Sequence, residues 1–362
     1  MPSRYALGLK FGVHKRPKQL SGIMGGAILP AMFSEDINAL AACQGKRILV
    51  IGDVMLDEYH WCDVKRISPE APVPVCSVKY TTLVPGGAAN VAHNVGALSS
   101  QAHLIGVIGE DSSGDKLQQA IKQGEGVTTH FIRVQNRPTI LKSRIIAHHQ
   151  QVVRVDREDS SPFSLSLQRQ VYAQFVRVLP NVDAVILSDY AKGLLTTAFT
   201  KQVIAACQKQ GIPVIVDPKG QDYRKYKGAS LLTPNFGEFT LAIKKELTSE
   251  SDIFDAGQKL RHKLQLAGLL ITRSEKGMSL ITPNQPKIDI PTRAKEVSDI
   301  TGAGDTVIAT LSIALAAKLP LAMAAHLANA AAGVVVGKVG TASLTLAELG
   351  HALDDDARYF TA

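Results

Sequence analysis

Five short apolar runs of this chain each stop at a polar residue, and helical patterns separate or follow them; no other feature limits the fold as strongly. The runs are Lys46-Arg-Ile-Leu-Val-Ile-Gly-Asp53, Ala184-Val-Ile-Leu-Ser188, Val214-Ile-Val-Asp217, Leu231-Leu-Thr233 and Leu269-Leu-Ile-Thr272. Helical periodicity covers Thr196 to Gln210, Gly237 to Lys245, Ile253 to Leu266 and Leu321 to Val336. Apolar strands joined through helices bury both their faces in a parallel sheet with a helical layer on each side. The expected fold is therefore α/β, with a central, mostly parallel sheet and helices on both faces. The carboxyl ends of such strands border the ligand crevice, so the polar terminators are the first candidate site residues.

Two regions break the rhythm. From Tyr59 to Val84 the chain carries Pro69, Pro72 and Pro74 among short valine-rich runs, and Pro-bounded strands do not belong in a central parallel sheet. From Phe131 to Asp156 apolar and polar residues alternate as in half-exposed strands. Together, 59–84 and 131–156 read as a small β lid on a single domain spanning 45–350, with 351–362 as a tail. Residues 1–44 read as a loosely ordered extension: basic residues precede an apolar stretch from Ile23 to Phe33, which Gly25, Gly26 and Pro30 interrupt. That stretch is shorter than the ~20 residues that cross a bilayer. Cys43, Cys62, Cys76 and Cys207 show no metal-ligand spacing and suit reduced packing residues of a cytoplasmic protein. The net charge of +8 is spread along the chain, which favours anionic small molecules over nucleic acid as partners.

The chemistry concentrates in Asp299-Ile-Thr-Gly-Ala-Gly-Asp305, followed directly by an alanine-rich apolar run to Lys318. Thr301 is placed to cap a helix, and the amides of Gly302, Ala303 and Gly304 can face an anion together. Asp305 then sits beside an anion hole, either as a general base next to a phosphoryl group or as an acid complementing the helix dipole. Gly86 and Gly87 allow a ligand close to the backbone before a helix whose first turn holds Asn90. Asp53 and Asp57 follow the first strand; Asp53 suits a ligand contact and a turn cap equally. Asp189 and Lys192 follow a later strand, and Lys219 follows Asp217, as phosphate-binding groups or as surface ion pairs. Asn235 and Glu238 share one face of a helical turn, fitting either the hydration shell of Mg²⁺ or an ordinary helix N-terminus. A strand followed by G-x-G-x-x-G is missing, as is G-x-x-x-x-G-K-[ST], which excludes the dinucleotide-binding and P-loop readings.

The ordered set Gly-Gly-x-x-Asn, Asn-x-x-Glu and Thr-Gly-Ala-Gly-Asp resembles the ribokinase-like (PfkB) family of carbohydrate kinases, from about Lys46 to Leu346. The resemblance implies a ribokinase-like fold and transfer of a phosphoryl group from ATP, with Mg²⁺, to a sugar hydroxyl. It implies Asp305 as base and Gly302, Ala303 and Gly304 as anion hole. Asp57, Gly86, Gly87 and Asn90 would contact sugar, and Asn235 and Glu238 would hold the metal through water. Thr272, Ser274 and Gly277 would run under the nucleotide, with Asn329 beside the adenine. A lid of this kind implies a homodimer. Arg66-Ile-Ser-Pro-Glu-Ala-Pro-Val-Pro74, Leu187-Ser-Asp-Tyr-Ala-Lys-Gly193 and Asn329-Ala-Ala-Ala-Gly-Val-Val-Val-Gly-Lys338 are similar to the branch acting on a heptose 7-phosphate. That branch implies phosphorylation of the anomeric 1-hydroxyl for lipopolysaccharide synthesis, here in a single-activity form. A 7-phosphate is close to dianionic at neutral pH and needs a cation; Lys192, Arg144, Arg154 and Arg66 are candidates, and Lys219 suits either phosphate. A kinase of another sugar or nucleoside, or a sugar-binding relative without catalysis, is the alternative.

Overall fold

The computed structural model describes residues 38–148, 150–294, 297–338 and 340–361. In chain order the strands are β1 (Arg47–Gly52), β2 (Val54–Ile67), β3 (Pro74–Gly87), β4 (Gln101–Gly109), β5 (Val127–Val134), β6 (Ile140–Ala147), β7 (Gln150–Arg157), β8 (Ala184–Ser188), β9 (Val214–Asp217), β10 (Leu231–Leu232), β11 (Gly268–Thr272), β12 (Met278–Ile281) and β13 (Ile288–Ile290). Nine of them form one sheet in the order β13-β12-β11-β10-β9-β8-β1-β4-β5, parallel from β5 to β11 and antiparallel at β12 and β13. Alternate residues of β1 serve two cores. Ile48 and Val50 pack under the helices Ala88–Ala97, Ala303–Ala316 and Leu321–Val335, while Leu49 and Ile51 pack with Phe175, Phe199 and Val203 on the opposite face. Because every side chain of the central strand after Arg47 is buried, one polar substitution there would strand a charge or an unpaired dipole.

The second sheet, in the order β3-β2-β6-β7, is the lid. Its root is wider than the expected 59–84. β2 starts one residue after β1 ends, and β3 runs to Gly87, where helix Ala88–Ala97 begins. The Ala88 amide donates to the Asp53 carbonyl, so the lid grows directly out of the central strand. Residues 131–134, expected in the lid, belong instead to β5 at the edge of the large sheet. They follow helix Ser112–Lys122 in a crossover, which returns a strand parallel to β4 rather than into a hairpin.

The ends also differ from expectation. The notion of a loose extension over 1–44 falls mainly on residues outside those described, but 38–43 are helical and bury Ala39, Leu40 and Cys43 in the core. The segment read as a tail from 351 lies within helix Leu346–Thr361, whose Leu349 and Leu353 are buried. Among the described residues no helix is long and apolar enough to cross a membrane.

Candidate active site

Helix Ala303–Ala316 is buried from Asp305 to Ala314, which its alanines and small hydroxyl residues permit at the centre of the fold. Its entry differs from the expected cap. Gly302, not Thr301, occupies the N-cap position, at φ 82°. A side chain there would be strained and would come within 3.0 Å of Asn90 Nδ2 and of Thr341 Cγ2. Thr301 is exposed, and its amide donates to Asp299 Oδ1 at 2.8 Å. The Ala303 amide donates to the Ile300 carbonyl at 3.3 Å, while Gly304 is exposed with open space where a Cβ would stand. The turn is therefore tight on its inner side and open on its outer side.

Asp305, 6% exposed, is held at both carboxylate oxygens. Asn90 Nδ2 donates to Oδ2 at 2.6 Å and the Tyr190 hydroxyl donates to Oδ1 at 2.9 Å. The orientation of Asn90 is supported in turn, because Asn94 Nδ2 donates to its Oδ1 at 3.4 Å and to its backbone carbonyl at 2.9 Å, and Thr306 Oγ1 donates to Asn94 Oδ1 at 2.8 Å. Burial raises the Asp305 carboxyl to about 6, against the two hydrogen bonds that lower it and with Asp57 adding to the rise. Such a group is ionised at neutral pH yet close enough to it to take up a proton.

Across the cleft Asp57 pairs with Arg144, whose guanidinium also lies 5.1 Å from the centre of the Tyr59 ring. Gly86 makes room for this pair: a Cβ there would lie 2.2 Å from Asp57 Oδ2. Tyr59 Oη and Thr341 Oγ1 lie 3.3 Å apart, joining lid to the Gly302 turn. On the same lid strand Lys142 pairs with Asp156 at 3.1 Å and approaches Glu158 at 3.6 Å. Lys192 reaches Glu158 Oε1 at 2.5 Å. Arg144 thus meets Asp57, the neighbouring-strand partner of Lys142, while Lys142 and Lys192 converge on Glu158. Arg154 is half-exposed and pairs with Asp156 of its own strand, and Arg66 is exposed at the outer end of β2.

Two predicted substrate ligands turn inward. Asp53 Oδ2 accepts the amides of Tyr190 and Lys192, each at 3.0 Å, as the cap of a turn does. Asp189 accepts from Ala191 N at 2.7 Å, Lys225 Nζ at 2.5 Å and the Tyr226 hydroxyl at 2.7 Å. Both carboxylates shape the 188–193 loop.

The remaining strand ends form the other half of the crevice. Asn235 and Glu238 make a capping box: Asn235 Oδ1 accepts the Glu238 amide at 2.9 Å, and Glu238 Oε2 accepts the Asn235 amide at 3.1 Å. The other oxygen of Glu238 meets Lys219 at 2.6 Å. Thr272 ends β11 and leads into a tight turn with Ser274 at φ 51° and Gly277 at φ 74°. Asn329 is buried, and its Nδ2 donates to the Pro291 carbonyl at 2.8 Å, which directs it to the 291–293 segment rather than into the open crevice.

A family model described as pfkB family carbohydrate kinase matches residues 46–347. The chain belongs to the pfkB family of carbohydrate kinases. It is similar to proteins named bifunctional protein HldE: 48% identical over 316 residues to that of Shewanella amazonensis and 47% over 309 residues to that of Pseudomonas fluorescens. Those matches cover 87% and 84% of this chain but 65% and 63% of the relatives, so the pfkB chain spans less than two thirds of their length. Solved structures share the ribokinase-like fold. Arabidopsis thaliana ribokinase with ribose and ATP gives a TM-score of 0.68 at 22% identity, covering 86% of this chain and 99% of that one. Escherichia coli phosphofructokinase-2 with potassium gives 0.71 at 20%, covering 88% and 100%.

As a pfkB kinase the protein is a phosphotransferase, and the site's donors suit that chemistry. Asn235, Glu238 and the half-buried Asp217 are hard oxygen groups. Burial and the nearby Asp305 and Glu238 push Asp217 well above the usual carboxylate range, with Lys219 opposing the rise. That set fits a Mg²⁺ held mainly by water and phosphate oxygens rather than caged by protein. Three contributors escaped the sequence reading: Tyr190, Lys142 and Glu158. Lys142 was legible in principle, since it stands two residues from Arg144 on one strand and shares its face. Tyr190 had only its place two residues past the end of β8.

Proposed function

We propose that this kinase transfers the γ-phosphoryl group of ATP to the anomeric 1-hydroxyl of a heptose 7-phosphate, giving the 1,7-bisphosphate for lipopolysaccharide core synthesis. The observation that carries the substrate class is a run of paired cations on the lid and the adjoining loop: Arg144 on Asp57, Lys142 on Asp156 and Lys192 on Glu158. An arriving phosphate dianion would draw these cations from Asp57, Asp156 and Glu158, and charge-assisted bonds of this kind are strong. The nearly one-half identity to the HldE proteins supports the same branch.

In the reaction Asp305 takes the proton of the acceptor hydroxyl as its oxygen attacks the γ-phosphorus, and ADP leaves. The Gly302–Gly304 turn receives the charge of the transferring group at a helix N-terminus. Bound Mg²⁺, held through water by Asn235 and Glu238, would supply neutralisation of the triphosphate charge. Lys219, paired with Glu238 at 2.6 Å, suits the ATP phosphates. The loop 272–277 would underlie the nucleotide. A homodimer through the lid fits the exposure of Val78, Tyr80, Val152, Val153 and Val155, and four free cysteines fit a cytoplasmic setting.

The test is a coupled ADP-release assay comparing heptose 7-phosphate with ribose and with fructose 1- and 6-phosphates. Highest kcat/KM on the heptose phosphate is expected. Preference for an unphosphorylated sugar would overturn the cation-pocket argument, and no ADP release with any acceptor would favour a binding protein.

A further inference from the structure

We propose that Tyr190 is a positioning residue for the reaction: its hydroxyl, with Asn90 opposite, aims the Asp305 carboxylate at the acceptor. The proposal rests on Asp305 being the base. Tyr190 sits in the 188–193 loop, and that loop is fastened from below at successive points. Asp53 accepts the amides of residues 190 and 192, and Asp189 accepts the amide of Ala191, which is held at φ 57°. Lys225 and Tyr226 lock Asp189 in turn. The whole assembly fixes one phenol oxygen 2.9 Å from Asp305 Oδ1.

Lone-pair arithmetic says what this accomplishes. Each carboxylate oxygen has two acceptor directions; Asn90 occupies one at Oδ2 and Tyr190 one at Oδ1, leaving the others for an incoming hydroxyl. Without Tyr190 the carboxylate would be pinned at one oxygen and free to rotate. The charged groups around the base come from every side: Asp57 with Arg144 on the lid, Asp217 with Lys219 and Glu238 at the neighbouring strand ends, and Asp189 with Lys225 beneath. Burial, Asp305 and Asp217 together push the Tyr190 hydroxyl well above its usual range, so it stays protonated and donates.

The experiment is the pH profile of kcat, with KM measured alongside, for wild type and Tyr190→Phe, using whichever sugar phosphate the wild type accepts. The expected result is an acid limb displaced upward by about one pH unit, the worth of one hydrogen bond to a charged group. Plateau kcat falls about 10-fold through lost orientation, with KM nearly unchanged. An unmoved limb, or a loss confined to KM, overturns the role. Should the Phe variant fail to fold, 3,5-difluorotyrosine at 190 keeps the shape and strengthens the donor. It is expected to move the limb downward, and an upward or absent shift counts against the proposal. Asp305→Asn run in parallel separates the two ideas, since a fully active variant would remove the base itself whatever Tyr190 does.

Discussion

Around Asp305 the polar side chains are buried, short and fixed by neutral donors, whereas across the cleft the lid strand β6 and the 188–193 loop present long cations, each balanced by a carboxylate. Asn90, Asn94 and Thr306 have few rotamers to lose, and their hydrogen bonds hold the Asp305 carboxylate in one orientation. Lys142, Arg144 and Lys192 sit on flexible stems and can exchange partners when a ligand arrives. On the proposed roles, one region serves a reaction that does not vary and the other an acceptor that does. The difference teaches where substitutions should change rate and where they should change substrate.

The largest expected effect tests the floor. Asp305→Asn should lose at least ~10²-fold in kcat while folding normally, as removal of a general base does; a near wild-type turnover would break the comparison. The same variant has a pH signature in stability. The folded carboxyl stands at about 6, above its ordinary 3.8, so between those values the native state holds a proton that the unfolded chain releases. Its contribution is complete below about pH 4 and is lost as pH rises through 6, up to ~3 kcal/mol. The melting-temperature difference, variant minus wild type, should therefore grow from pH 4 to 7. A constant difference would mean that burial does not shift this group.

Next comes the lid. Arg144→Ala should raise KM for the phosphorylated acceptor about 30-fold, from ~2 kcal/mol, with kcat much less affected. Arg66→Ala serves as its control and should stay within about 2-fold of wild type, because Arg66 is exposed at the far end of β2. Equal effects of the two would erase the distinction between the gathered and the remote cations. The smallest catalytic effect belongs to the outer surface of the lid. Val155→Asp should weaken self-association by roughly 10-fold, measured by sedimentation, with kcat of the remaining dimer unchanged. A monomeric wild type would refute the lid interface outright.

Much of this was readable from the chain. The strand and helix rhythm gave the parallel sheet, because only buried strands are apolar throughout and stop so sharply. The Gly-Gly-x-x-Asn and Thr-Gly-Ala-Gly-Asp motifs, 215 residues apart between Asn90 and Asp305, meet in a single hydrogen bond. The lid was legible in outline but not at its edges: nothing local distinguishes β5, whose alternating pattern matches a lid strand, from the strands that follow it. Asp53 and Asp189 show the same limit at the site. Their positions at strand ends are in the sequence, while the direction of each carboxylate depends on which loop amides lie beneath.

What the sequence determined by itself is the identity and order of the parts proposed to react: the acid Asp305, the glycine turn ahead of it and the carboxamide of Asn90 that meets it. Those follow from residue type, because a close backbone approach needs glycine and a proton acceptor at neutral pH needs an acid. Tertiary structure alone decided where each acid points, Asp53 and Asp189 into their loop and Asp305 toward Asn90 and Tyr190. Tyr190 reaches Asp305 only because Asp53, 137 residues earlier, captures its amide. Pairings of that kind are set by how distant strands come into register, and no local pattern in the chain encodes them.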